Sequence, residues 1–334
     1  GMNRCDFCGA PLDPEEKKCP YCGTSVPKTE KTKPAADPVR RPPPGTTSEP
    51  PLWSADPYQP APAPRSKAKR GSGCLIAFVI AFILIAIFAD QLAPYDYAAQ
   101  DLPSMYLSPC AEHPLGTDNL GRDMLSRISY GTGISLLIGF SSVGISLLIG
   151  TLLGCLAGFY GGKADTIIMR FMDVMLAVPS VLLAIVIAAV LGTGVFNLIL
   201  AIGIASIPSY ARIVRASILS IRDQEYIEAA RISGCSDARM ILRHILPNIL
   251  APVIVQTTLG LGLAILNASG LSFLGLGVEA PMPEWGSMLA AARGDMRNYP
   301  YLVTFPGIAI VLVVLALNMV GDGLRDALDP RMKN

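Results

Sequence analysis

The chain has 334 residues, of which 51% are hydrophobic and only 16% charged, and its net charge is +1. Soluble domains carry roughly 25% charged residues, so an ordinary water-soluble enzyme is excluded, and no basic excess is left to attract nucleic acid. The charge is unevenly placed: residues 1–73 hold 12 Lys/Arg against 8 Asp/Glu, and residues 74–334 hold 15 against 18. A polar, proline-rich head thus precedes a long apolar body.

Residues 2–23 contain Cys5-Asp6-Phe7-Cys8-Gly9 and Cys19-Pro20-Tyr21-Cys22-Gly23. Each pair forms a tight turn aiming two sulfurs at one ion, and four thiolates suit tetrahedral zinc. So short a segment buries no core of its own, so metal ligation has to supply its folding energy. The rivals are a disulfide pair and a redox C-x-x-C, and the redox motif lacks a βαβ setting here. The segment resembles the short zinc ribbons found at the ends of bacterial proteins, and it serves either as a structural knob or as a docking or regulatory module. Residues 24–72 hold twelve prolines and almost no large aliphatics. They are predicted to form a disordered linker with polyproline II character. Its reach lies between about 40 Å as a coil and about 150 Å if extended.

The body, residues 73–334, is read from its charge gaps. The stretch 71–89 has no charge across 19 residues, and further gaps cover 128–162, 174–211, 244–278 and 298–321. About 20 apolar residues cross a bilayer core. The turn Gly192-Thr193-Gly194 splits one gap into two helices. Six spans result, roughly 74–92, 132–158, 166–191, 196–216, 249–271 and 302–322. With both termini in the cytoplasm, fifteen Lys/Arg flank the inner ends and four lie in outer loops. If 174–211 were one span, the tally would become eight inside and eleven outside, so the positive-inside rule selects six. The same orientation keeps the four thiols in a reducing compartment.

Within the spans, Ser142, Ser146, Gly150, Gly154 and Gly158 recur every four residues on one helix face. They permit close helix approach, either as ordinary packing or as a sliding interface. Pro179 and Pro208 are expected to bend their spans. Asp173 is expected to pair with Arg170 on one helix face. Asn197, Asn267 and Asn318 either line a passage or bridge helices. In the outer loops, His113, Asp118 and Asp123 are read as parts of a structured loop rather than a metal site. Cys110 is placed outside with no disulfide partner, and His244 packs or caps. A helix is expected over 286–297, beside Trp285. It either caps a pathway or touches an external partner.

The loop from Ser217 to Asn248 reads as two helices with a break. Residues 223–233 favour helix, Gly234 suits a left-handed helix end, Ser236 and Asp237 can cap a second helix, and Pro247 marks entry to the fifth span. A rigid elbow of this kind can pass force from a soluble partner into the spans. Its residues Glu228-Ala229-Ala230, Gly234 and Leu246-Pro247 match in type and spacing the cytoplasmic signature of permease subunits of binding-protein-dependent ABC importers, which the chain resembles over about 74–332. The strings His244-Ile245-Leu246-Pro247-Asn248, His113-Pro114-Leu115-Gly116-Thr117-Asp118 and Gly323-Leu324-Arg325-Asp326-Ala327-Leu328-Asp329-Pro330 resemble the C-type permeases of the dipeptide, oligopeptide and nickel branch.

The resemblance implies an all-α polytopic membrane protein of six transmembrane helices with a cytoplasmic coupling helix, here preceded by a zinc ribbon on a disordered linker. It implies a non-catalytic subunit in the cytoplasmic membrane, with both termini in the cytoplasm. Its partners would be a homologous permease, two cytosolic ATPases and an extracytoplasmic solute-binding protein, with no nucleic acid. Di- or oligopeptides, or else nickel, would be carried. Glu228, Ala229, Ala230, Gly234, Leu246 and Pro247 would couple the spans to the ATPases, and Cys5, Cys8, Cys19 and Cys22 would hold zinc. The segment 157–164 lacks the first glycine and the hydroxyl of a phosphate loop, so no nucleotide site is expected on this chain. The rival from another class is a membrane-anchored zinc-ribbon sensor or scaffold. An ion-driven carrier is disfavoured because few charges fall within the spans.

Overall fold

The computed structural model describes residues 3–4, 11–12 and 72–328, with side chains from 79 to 327 beyond the first strands. Two units are distinguished, Gly1–Arg65 and Ser66–Asn334. In the first, β1 (Asn3–Arg4) pairs antiparallel with β2 (Pro11–Leu12), Asn3 opposite Leu12 and Arg4 opposite Pro11. Cys5, Cys8, Cys19 and Cys22 and the linker 24–71 lie outside the described residues.

The second unit is helical among the described residues. It comprises α1 (Ser72–Ile87), α2 (Ala89–Leu92), α3 (Met124–Tyr160), α4 (Gly162–Leu176), α5 (Ser180–Leu191), α6 (Val195–Ile221), α7 (Glu225–Ile232), α8 (Asp237–Met240), α9 (Leu246–Phe273), α10 (Trp285–Ala292) and α11 (Tyr301–Leu328). One π-helical turn, Ile241–Ile245, joins α8 to α9.

Four helical stretches are long and apolar enough to cross a membrane: Met124–Tyr160, Val195–Ile221, Asp237–Phe273 and Tyr301–Ala327. α4 and α5 form a fifth candidate only as a pair, bent by 85°. Of the six expected spans, five thus have a counterpart by length and composition among the described residues, the third only as the bent pair. Pro179 is the reason for the bend. It sits at the start of α5 with ψ 133, and its ring prevents α4 from continuing. Pro208, by contrast, lies inside an uninterrupted α6. The first expected span appears as the 16-residue α1.

Helix directions follow from the packing. Ser146 Oγ lies 2.8 Å from Gly203 O. A Cβ on Gly150 would stand 2.5 Å from Tyr210 Cβ, one on Gly154 2.7 Å from Ala211 O, and one on Gly158 2.9 Å from Ile218 Cβ. The partners on α6 climb in number with those on α3, so the two helices run parallel. The chain must therefore return from one end of the bundle to the other between Tyr160 and Val195, and bent α4–α5 is that return. On the far side, Gly262 faces Asn318 and Gly321 faces Thr258, so α9 and α11 run antiparallel. The small-residue face read from the sequence is thus a close helix contact, which at Gly150, Gly154 and Gly158 leaves no room for a side chain.

The ion pair expected within α4 forms elsewhere. Asp173 accepts from Arg212 Nη2 of α6 at 2.6 Å, not from Arg170. Asp165 of α4 takes both Nε and Nη2 of Arg215 at 2.5 and 2.6 Å. Two charge pairs thus tie α4 to one end of α6.

At the opposite end, the segments before α3 and around α10 lock together. Asp123 caps α3, accepting from Ser126 N and Oγ at 2.8 Å each, and also meets His113 Nδ1 at 2.9 Å. Asp118 pairs with Arg122 at 2.7 Å. Tyr106 stacks on Tyr299, with ring centroids 4.3 Å apart, and donates to Asp295 at 3.0 Å. His113 and Asp123 thus bond each other, Asp118 bonds Arg122, all within a structured loop, and no metal-type cluster occurs among the described residues. Cys110 is exposed and free.

The expected helix 286–297 is corrected to Trp285–Ala292. Glu284 starts it with a capping box, accepting from Gly286 N and Ser287 N at 2.9 and 2.8 Å, and Trp285 is fully buried with Nε1 donating to Ile128 O at 3.3 Å. Burial pushes the Glu284 carboxyl above its ordinary range, while those two N–H groups pull it back. Asn197 Nδ2 donates to Leu191 O at 2.8 Å, closing the turn between α5 and α6. Thr193 Oγ1 donates to Glu279, and Gly194 N to Gly277 O at 2.9 Å, so this turn and the α9–α10 turn share one end of the bundle.

Candidate functional site

α6 carries the chain to the other end of the bundle, where α7, Gly234 and α8 form an elbow. Glu225 and Glu228 sit in the first turn of α7 and Arg231 in its last, the arrangement the helix dipole favours. The helix ends in a full Schellman motif. Gly234 N donates to Arg231 O at 3.0 Å, Cys235 N to Ala230 O at 3.2 Å, and Gly234 has φ 75. Only glycine takes this conformation at no steric cost. A Cβ there would meet nothing within 4 Å, so the requirement at Gly234 is one of backbone shape.

The elbow is anchored on both of its arms. Ile227 of α7 is 0% exposed and Met240 of α8 is 1% exposed. Both belong to one apolar cluster with Cys155 of α3, Val214 and Ile218 of α6, and Ile245, Ile249 and Val253 on the path into α9. Cys235 and Leu246 pack against its edge. Any displacement of the elbow is therefore shared at once with three long helices.

The second arm departs from expectation. α8, the π turn and α9 make one continuous helical stretch, Asp237–Phe273, with no break at Pro247. Leu246 N reaches back five residues to Ile241 O. Pro247 follows and has no N–H for Arg243 O, so the ladder is interrupted there in any case. Asn248 Nδ2 donates to His244 O at 2.5 Å, which gives His244 a backbone role. Ser236 holds the N-cap position of α8 but makes no side-chain cap bond.

Of the residues singled out in the sequence, Glu228 and Ala229 are exposed on α7, Ala230 is half-buried beneath them, and Gly234 is exposed at the turn. These four come together. Leu246 and Pro247 do not join them. They stand at the root of α9, Leu246 facing the cluster and Pro247 exposed. Sequence reasoning missed Ile227 and Met240, the anchors. It also missed Ile232, the most exposed large apolar side chain among the described residues. The signal for Ile227 was present: it is an isolated aliphatic among Glu225, Tyr226 and Glu228.

Beside the elbow root, α3 and the π turn with α9 enclose an apolar groove of about 520 Å³. Its walls include Leu148, Thr151 and Leu152 on one side and Leu242, Leu246 and Leu250 on the other. The continuous helix that carries the elbow's second arm is thus also a wall of this groove.

The chain matches two families, "Binding-protein-dependent transport system inner membrane component" over residues 150–334 and "N-terminal TM domain of oligopeptide transport permease C" over residues 75–109. It is 48% identical over 309 residues to the dipeptide transport system permease protein DppC of Alkalihalophilus pseudofirmus, covering 92% of this chain and 100% of that protein. It is 48% identical over 258 residues to the glutathione transport system permease protein GsiD of Pectobacterium atrosepticum, covering 77% of this chain and 86% of that protein. Among solved structures, one of the inward-facing MetNI methionine ABC transporter aligns with a TM-score of 0.51 at 18% identity, covering 62% of this chain and 98% of that one. At that identity the likeness concerns the fold alone.

Proposed function

Since the chain belongs to the inner-membrane components of binding-protein-dependent transport systems, and within them to the C-type permeases of the dipeptide and oligopeptide branch, we propose that it is the membrane subunit of an ATP-driven importer of di- or oligopeptides. The observation that carries this reading is the elbow. It bears the signature residues Glu228, Ala229, Ala230 and Gly234 on its tip, and it shares one buried cluster with α3, α6 and the start of α9. Such a tip suits a groove on a cytosolic ATPase, while Leu246 and Pro247 form the root that passes its motion into α9.

In the assembled importer this chain pairs with a homologous permease, two cytosolic ATPases and an extracytoplasmic solute-binding protein. ATP is hydrolysed on the ATPases. Their closure pushes the elbow, and the anchored arms turn that push into a rigid-body switch of the spans between inward- and outward-facing arrangements. The return made by bent α4–α5, together with α1, supports six crossings. The fifteen Lys/Arg near one set of ends support a cytoplasmic elbow and cytoplasmic termini in the cytoplasmic membrane. On the same orientation, Cys5, Cys8, Cys19 and Cys22 bind one zinc ion in the reducing cytosol, a proposal that rests on their spacing.

The test is reconstitution of this chain with its sister permease, the ATPases and the binding protein in proteoliposomes. The expected result is uptake of a labelled dipeptide that requires ATP. ATP hydrolysis stimulated by the binding protein with no dipeptide accumulated would count against peptide import.

A further inference from the structure

The groove between α3 and the continuous stretch Asp237–Phe273 holds about 520 Å³ and is walled almost wholly by aliphatic side chains. Leu148 and Leu152 on one wall and Leu242 and Leu250 on the other are large, exposed hydrophobics. Three threonines are its polar members. Thr257 and Thr258 donate their hydroxyls to Val253 O and Val255 O at 2.8 and 2.9 Å. Thr151 Oγ1 is buried with no hydrogen-bond partner among the described residues. A peptide in transit would leave nearly all of its amides unpaired against such walls, so the groove is not built to carry one. A hydrocarbon chain asks for no polar partner and gains by leaving water.

The charges at the elbow end of the groove say what that chain is attached to. Arg239 and Arg243 are four residues apart and share one helix face, about a quarter turn round from Leu242 and Leu246. Both are exposed, and so is Lys163, just beyond the end of the α3 wall. None of the three has an ion pair among the described residues. Asp237 meets the Tyr160 hydroxyl at the foot of α3, and no further acid follows it in sequence before Glu279. Asp165, close to Lys163, is taken by Arg215. Glu225 and Glu228 belong to α7, which does not line the groove. An apolar slot beneath free cations is complementary to an acyl chain that ends in an anionic headgroup. Anionic phospholipids are what the inner leaflet presents at that depth, and long arginine side chains reach up to headgroups from an apolar surface.

We propose that the groove binds one anionic phospholipid of the inner leaflet, its acyl chain lying between α3 and α9 and its phosphate held by Arg239 and Arg243. The proposal uses the cytoplasmic placement of the elbow given above and goes beyond it. The wall of the groove and the second arm of the elbow are one helix, so the bound lipid braces the root of the elbow against α3.

The experiment purifies the Leu250→Trp chain with its sister permease and places the pair in phosphatidylcholine nanodiscs. These contain increasing fractions of acyl-brominated phosphatidylglycerol or acyl-brominated phosphatidylcholine. Quenching of the added tryptophan is read against the parent chain, which carries Trp53 and Trp285. Brominated phosphatidylglycerol is expected to quench at a mole fraction about tenfold lower than brominated phosphatidylcholine. Arg239→Gln with Arg243→Gln should abolish that preference, and Arg239→Lys with Arg243→Lys should keep it. Equal quenching by the two lipids with both arginines present would reveal a plain lipid-facing surface and overturn the proposal. Quenching by neither would show that the sister permease covers the groove and overturn it too, as would a preference that survives the double glutamine change. The nanodisc offers both lipids to both leaflets and contains no ATPase or binding protein. Failure here therefore leaves the import reading to its own uptake test.

Discussion

Ile227 and Met240 stand on different arms of the elbow yet are buried in the same apolar cluster. Their shared burial makes the elbow a bracket rather than a hinge: neither arm can move without the ends of α3, α6 and α9. Truncating either side chain leaves a cavity under one arm, at a cost of about 2–5 kcal/mol. The prediction for Ile227→Ala is faster amide exchange confined to 225–235, with the spans still inserted and ATP hydrolysis no longer driving uptake. Leu242→Ala, at an exposed position, should leave exchange in that segment unchanged.

Gly234 tests backbone shape separately from contact. A Cβ there has open space, so substitution costs only the left-handed conformation, about 1–2 kcal/mol. Coupled uptake should therefore fall in the order glycine, asparagine, alanine, valine, asparagine being mildest because it tolerates φ 75 best. Equal uptake by Gly234→Asn and Gly234→Val would show that shape is not what the position supplies.

The α3–α6 contact predicts a contrast between two glycines of one helix. A Cβ on Gly154 would stand 2.7 Å from the Ala211 carbonyl, which is backbone and cannot step aside, whereas one on Gly144 meets nothing within 4 Å. Gly154→Ala should destabilise the solubilised protein by about 1–3 kcal/mol, and Gly144→Ala should not lower its melting temperature.

These residues also show where the sequence was legible. The four-residue spacing from Ser142 to Gly158 and the glycine ending α7 follow from local geometry that short-range pattern specifies. The partner of Asp173 does not. The nearest cation in sequence is Arg170, but the pair forms with Arg212 because tertiary packing lays α4 against one end of α6. The bend at Pro179 was legible from proline chemistry, but its size, 85°, was not, because composition marks 166–191 as one apolar run. The continuity of α8 into α9 was hidden for a related reason. Pro247 reads as a boundary, and the π turn before it absorbs the missing hydrogen bond. Ile232 escaped notice because an exposed aliphatic is recognised only once its helix has been placed.

The four head cysteines carry a prediction of their own. Metal analysis of the intact chain should give one zinc per molecule, and Cys5→Ser with Cys19→Ser should remove it. Uptake by the assembled importer should be retained in that variant if the ribbon is a tethered accessory. A metal content well below one in the unaltered chain would reject the zinc site.

The central claim, a cytoplasmic elbow gripped by an ATPase, is met most directly by labelling Glu228→Cys with a membrane-impermeant maleimide and comparing it with the parent chain. Reaction in inverted vesicles, suppressed when the ATPases are bound and absent in intact right-side-out cells, is the predicted result. Reaction at position 228 from outside intact cells would place the elbow on the wrong side of the membrane and contradict the account.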